Sequence, residues 1–444
     1  GNHDWYDGLV SFLRLFCTTG WIGGWRTRQR RSYFALKLPN NWWIWAIDIQ
    51  LDTYIDDVQL QYFADQKIGP GDKIILLTAK PSWVAAVDGR VEPPTWKFLN
   101  YFEERMVRDT GARLVLTITG DRHHYARYEP VGGEGADEAP TRLTAGGGGA
   151  YLSATHTLPD ELLLKTLPRK DGDSYVEQPQ VVNRCEQIYP SNEDSRRLSN
   201  GILKLAALNP AFGRLMGVFY ALIAIAMLNT LKLGAAGVIG VPEGSGYAFV
   251  IVKSSYFGLL GDSFGGMTVV LVLVLFGGIF GGVDIKQSLP ARLGVAIAHT
   301  ALHVLVVGLA VWAAVNVVPD VWESVTVIWL VAVLLAFAAG STLGTTVFAA
   351  FMLLVHKVRG GKAQAVANQV FTGQSIPDYK NLLRMRLAPG GALTIYALGV
   401  DEACTAWDLA EPKPAPRFEP RAGKQPAVHP IDTPLQFDAK GNRL

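Results

Sequence analysis

The stretch ARLVLTITGDRHH, residues 112–124, decides how the first third of the chain folds. Its opening nine residues (112–120) are apolar, rich in Leu, Val and Ile, and close on a glycine, which is the pattern of a buried strand. Asp121, His123 and His124 follow directly, at the carboxyl end of that strand, where open α/β sheets place their ligands. Asp121 and His123 stand two apart in an extended segment, so they point the same way and are able to share one metal ion. The plainer alternative is a solvated loop carrying two surface histidines.

On either side the same grammar repeats. WWIWAIDI (42–49) and KIILLTA (73–79) are short, apolar and bounded by polar turns, as buried strands are. DDVQLQYFADQK and PTWKFLNYFEERMVRDTG place apolar residues at helical spacing between them. Strands alternating with helices predict a layered α/β domain over residues 1–160. The glycine run in TAGGGGAYLSATH (144–156) lets backbone approach something closely, or is simply a flexible turn. No Walker spacing is present, which removes phosphate cradling of that type. Residues 161–212 are polar and mixed, and are expected to be a connector.

The bulk numbers point beyond a soluble domain. The chain has 444 residues, 49% hydrophobic and 18% charged, with a mean hydropathy of +0.18. Part of it is therefore expected in lipid, and its length suits more than one unit. A net charge of +2, with the basic residues not gathered in one long cluster, is too small to suggest a nucleic-acid footprint. Cys17, Cys185 and Cys404 are odd in number and far apart, so they predict neither a disulfide framework nor a zinc motif and suit a reducing compartment.

Four runs within 213–358 reach the roughly 20 apolar residues a membrane span needs: 215–233, 265–283, 293–318 and 325–355. The last contains AAGSTLGTT, either a packing face of small residues in one long helix or a break between two; a single helix is preferred because each half is short for a span. Arg196, Arg197, Lys204, Arg214, Lys286, Arg292, Lys357, Arg359 and Lys362 then all flank one face of the bundle, which predicts that both soluble parts are cytoplasmic. Residues 359–410 form a small β-containing region, with a hairpin over 379–400 turning at Pro-Gly-Gly, and the Pro-rich residues 411–444 are expected to be a loose tail.

The chain opens on Gly-Asn-His-Asp. An Asn oxygen can ligate a hard metal, His3 is suited to proton transfer, and Asp4 can orient it; a polar turn is the bland reading. GNHD, then a strand ending before an x-Pro pair (LLTAKPSW), then a strand ending in a Gly-x-x-His loop (Gly120 to His123), resembles the later half of the calcineurin-like metallophosphoesterases. The resemblance covers about residues 1–160. It implies a two-sheet α/β sandwich, incomplete at its amino end, and two-metal phosphoester hydrolysis with divalent Mn, Fe or Zn.

Carried over by residue, the resemblance makes Asn2 a metal ligand, His3 the proton donor to the leaving oxygen and Asp4 its orienter. His123 matches the second His of the family's Gly-His-x-His block, with Asp121 standing where its first His would be. His124 is an extra candidate without a family counterpart. The family's earlier Asp-x-His and Gly-Asp blocks do not precede GNHD here, so the chain is expected to be a fragment with little or no activity of its own. The family also has a ligand His before x-Pro, where this chain offers Thr78, Ala79 and Lys80. Lys80 is a candidate contact for the substrate phosphate, and the substitution also suits a membrane sensor or scaffold with a degenerate, non-catalytic domain. Within the third span, His299 and His303 share one helical face, as a haem, metal or proton site or as neutral rings bonded to neighbouring helices.

Overall fold

A computed structural model describes residues 2–22, 25–49, 54–86, 94–132, 135–149, 151–172, 174–238, 256–263, 266–272, 288–317, 325–358, 364–410 and 417–444. The chain divides into two compact units, one built from residues 1–195 together with 376–444, the other from 196–375.

The first unit is mixed α/β around an eight-stranded sheet. Its strands are β1 (Phe34–Lys37), β2 (Trp42–Ala46), β3 (Lys73–Thr78), β4 (Arg113–Thr119), β5 (Tyr125–Val131), β6 (Thr141–Ala145), β7 (Glu161–Leu164) and β8 (Val181–Tyr189). They lie in the order β1-β2-β3-β4-β6-β5-β8-β7. β2, β3, β4 and β6 run parallel, while β1, β5, β7 and β8 pair antiparallel with their neighbours. β3 and β4 are buried along nearly their whole length because both faces of the sheet are covered, which is why they read as unbroken apolar runs.

Alternation along β2 shows the two faces. Trp43 and Trp45 enter a core with Phe63 of helix α1 (Asp57–Ala64), and with Trp96 and Leu99 of helix α2 (Pro94–Tyr101). Trp42 and Ile44 point the other way, into a core shared with Leu393, Ile395, Leu435 and Phe437. Asp56 caps α1 by accepting from the Gln59 amide at 2.7 Å, which fixes where that helix starts.

Three expectations about the rest of this unit are corrected. Residues 161–164 and 181–189 are the β7 and β8 strands of the main sheet, not part of a connector. The hairpin forms as expected, between β9 (Lys380–Leu387) and β10 (Leu393–Val400), but it belongs to the first unit rather than to a separate element. Gly391 at its turn has φ 88°, and a Cβ there would come within 3.2 Å of the Asn40 Cβ, so both conformation and space call for glycine. Nor is the end of the chain a loose tail: β11 (Val428–Pro430) and β12 (Leu435–Phe437) pair with β10, and Ile431, Leu435 and Phe437 are buried. The resulting four-stranded sheet covers the open face of the main sheet. A buried ion pair crosses between them, Arg127 Nε to Asp432 Oδ2 at 2.6 Å and Arg127 Nη2 to Asp432 Oδ1 at 3.0 Å.

In the second unit, three helices among the described residues are long and apolar enough to cross a membrane: Pro210–Thr230, Leu289–Val317 and Thr326–Val358. The first is part of α3 (Pro210–Val238), and the second is α4 (Leu289–Val317). The third runs through α5 (Val325–Ala339), a π-helical turn at Gly340–Gly344 and α6 (Thr345–Val358) without a break. The small residues in it form a packing face, since a Cβ on Gly340 or Gly344 would meet the Tyr220 ring of α3 at 2.6 or 2.7 Å. Of the remaining expected span, 265–283, only a short helix at Gly266–Val272 is described, and 273–283 lie outside the described residues.

Candidate functional site

Four parallel strands end at one edge of the main sheet, and the loops that leave β3, β4 and β6 there are tied to one another. After β4 the chain turns back under β3: the amides of Gly120 and Asp121 both donate to the Ala79 carbonyl, at 3.1 and 2.9 Å. After β6 the glycine run closes on the same loop, with the Gly146 amide donating to the His124 carbonyl at 3.1 Å. A Cβ on Gly146 would collide with the carbonyl oxygens of Gly120 and Arg122, so this glycine serves close backbone approach. Gly147 is likewise pressed on Asn381 of β9, and exchanges backbone and side-chain bonds with it at 3.3 Å.

Within this edge the expected residues take different parts. His123 is half-buried, its amide on Ser153 Oγ at 3.2 Å and its ring 4.7 Å from the Tyr151 ring in an edge-on arrangement. Burial holds its imidazole below the usual histidine range, with Asp121 opposing that shift and Lys380 and Arg122 adding to it. It is therefore neutral near pH 7 and able to accept a proton. His124 points inward instead and is only 2% exposed. Burial, with Arg122 beside it, pushes its pKa down to about 3, so His124 is a packed neutral ring. Lys80 follows the Ala79 carbonyl that anchors the Asp121 loop, half-buried at the same edge.

The segment that opens the chain folds as a 3-10 helix, Asn2–Asp7. His3 is exposed, its ring 4.7 Å from that of Tyr6. The segment is tied to the sheet by Trp5, whose indole N–H donates to both carboxylate oxygens of Asp48 at 2.9 and 3.1 Å. Asp48 lies just past β2, and Gln59 fixes its backbone from both sides at 2.8 Å. The rule that singled out Asp121, an acid at the carboxyl end of a buried strand, applies equally to Asp48 in WWIWAIDI. Lys380 and Asn381 carry no such local signal, because β9 reaches the site from far along the sequence.

No family model matches the chain, and neither a curated protein nor a solved structure is detectably similar to it. Chemistry at this edge rests on the residues alone. Among the described residues, no three of His, Cys, Asp and Glu come together as a metal-holding group. Asp121 and His123 share a loop, but the described side chains do not assemble the ligand set that a pair of cations requires.

In the second unit the two expected histidines stand in one hydrogen-bonded chain. Tyr220 Oη lies 2.6 Å from His303 Nδ1, and His303 Nε2 lies 2.9 Å from His299 Nε2. Both rings are fully buried. One of the facing Nε2 atoms must carry the proton that the other accepts, so the contact fixes complementary tautomers on the pair.

Proposed function

We propose that the first unit handles phosphoesters, as a hydrolase of the calcineurin-like metallophosphoesterase kind held at a membrane by the second unit. The observation that supports this most is the convergence of the 79–80, 120–124 and 146–147 loops at the carboxyl ends of parallel strands. Lys80, Arg122 and Lys380 supply positive charge there for an anionic ester, and His123 supplies a neutral imidazole for proton transfer. In this reading His3 and Asp4 are the acid and its orienter, Asn2, Asp121 and His123 are the metal-facing donors, and the soluble parts face the cytoplasm. The described residues do not themselves complete a metal site.

That same incompleteness, together with Ala79 and Lys80 before Pro81, favours a second reading: a membrane sensor that binds a phosphoester without turnover. One assay separates the two. The whole gene product, purified in detergent, is given aryl phosphomonoester and phosphodiester substrates with Mn²⁺ and after chelation. The hydrolase reading expects Mn²⁺-dependent turnover, lost in His3→Ala, reduced about 10²-fold or more in His123→Ala, and with a raised KM in Lys80→Ala. Folded, Mn²⁺-loaded protein that binds phosphate but turns nothing over would establish the sensor instead.

A further inference from the structure

The amino ends of the same parallel strands carry a second polar site. Where β4 begins, a cleft of about 260 Å³ opens among Arg108, Arg113, Arg169 and Glu138. A narrower cavity of about 30 Å³ adjoins it, sharing Arg108, Glu138 and Arg169 and adding Arg142. The cleft is many times the roughly 10–15 Å³ that one ordered water needs.

Its charges are only partly matched. Arg142 is engaged by both oxygens of Glu103 at 2.9 Å, and Arg108 Nη1 reaches Glu104 at 3.0 Å. Arg113 is held by neutral oxygens, Asn442 Oδ1 at 2.6 Å and the Asp137 carbonyl at 2.8 Å. Glu138 is the one acid among the described residues lining the cleft. It pairs with Arg169 at 2.6 Å, and Arg169, Arg108 and Arg113 together hold its carboxyl below the usual range. The Arg108 side chain is 10% exposed and that of Arg142 3%, the latter lying over the Trp83 and Trp96 rings at 5.2 and 5.0 Å. Several guanidinium groups around a cleft select a phosphate-type oxyanion by charge and fork geometry.

We infer that this cleft is a binding site for a phosphate group, at the opposite ends of the strands from the 120–124 loop, and that Glu138 occupies it until the anion arrives. Glu138 suits that part: its side chain is 63% exposed, and it sits at the end of a single 3-10 turn, Ala136–Glu138. The ligand's shared chemistry is a dianionic phosphate, supplied either free or on a lipid headgroup. The inference stands independently of the hydrolase reading.

The test is calorimetric titration of the whole detergent-solubilised protein with inorganic phosphate and, separately, with short-chain phosphatidic acid. Glu138→Gln removes the competing carboxylate and is expected to tighten phosphate severalfold, whereas Arg113→Gln, at the cleft mouth, weakens it about tenfold or more. His123→Ala, at the other end of the strands, leaves these two shifts in place. Equal binding of both probes assigns a free phosphate ligand, and markedly tighter phosphatidic acid assigns a lipid headgroup. Phosphate affinity unchanged or weakened in Glu138→Gln overturns the inference, as does an unchanged affinity in Arg113→Gln; the Glu138 variant decides alone should the Arg113 variant misfold.

Discussion

Arg127 shows how much of the first unit depends on single side chains. Its guanidinium bonds Asp432 through two nitrogens and Glu129 through the third, and Tyr125 Oη donates to the same Asp432 carboxylate at 2.9 Å. The Asp432 side chain is 5% exposed, so this is a buried pair whose removal from one side strands a charge. Asp432→Ala is expected to destabilise the first unit by about 3–5 kcal/mol, and Asp432→Asn by less, because the amide keeps the shape and one acceptor. Chemical unfolding of the whole protein in detergent, followed through a probe on the first unit, checks the pair. Equal losses for the two variants would refute the charge argument.

At the scale of elements, the glycine notch of the third span is the most exacting contact. Tyr220 lies against Gly340 and Gly344, and on the Tyr220 helix a Cβ at Gly213 or Gly217 would meet the Ser341 or Phe337 carbonyl oxygen at 3.0 or 2.7 Å. Gly344→Leu forces a branched side chain into a ring with no space to yield, at a cost of about 1–3 kcal/mol or more. The expected readout is loss of helix content at lower denaturing-detergent fractions than wild type, while Leu343→Ala on the exposed side leaves the transition unmoved.

What the sequence disclosed follows the same physics. Strands β2, β3 and β4 were legible because burial on both faces makes them continuous apolar runs. β7, β8 and β12 were not: the burial of Leu162 and Leu164, or of Leu435 and Phe437, alternates with exposed positions over very short lengths. The partners of Ile431, Leu435 and Phe437 on the main sheet lie hundreds of residues away, so no local period announces them. Asp121 and His123 were legible from their place after a strand. The 3-10 turn at Asn2–Asp7 was not, because its anchor, Trp5 on Asp48, is a tertiary contact.

For the whole molecule the decisive fact is that the first unit is discontinuous. The chain leaves it at Ser195 and re-enters at Ile376. Both pieces build one double-layered structure, so both are expected on one side of any membrane that the second unit crosses. Single cysteines at Glu177 and Lys424, both exposed, in a background lacking Cys17, Cys185 and Cys404, are expected to react with an impermeant thiol reagent from the same side of sealed vesicles. Labelling from opposite sides would disprove the shared unit.

The same discontinuity sets an order of events during synthesis. The face of the main sheet bearing Trp42, Ile75 and Val115 is complete long before Ile395, Leu435 and Phe437, the residues that cover it, have been made. At the usual pace of elongation the second unit takes on the order of 10–40 s to emerge. Throughout that interval the apolar sheet face lacks the residues that cover it. A chain cut before β10 is thus expected to leave that face bare, with Trp42, Ile75 and Val115 open to solvent.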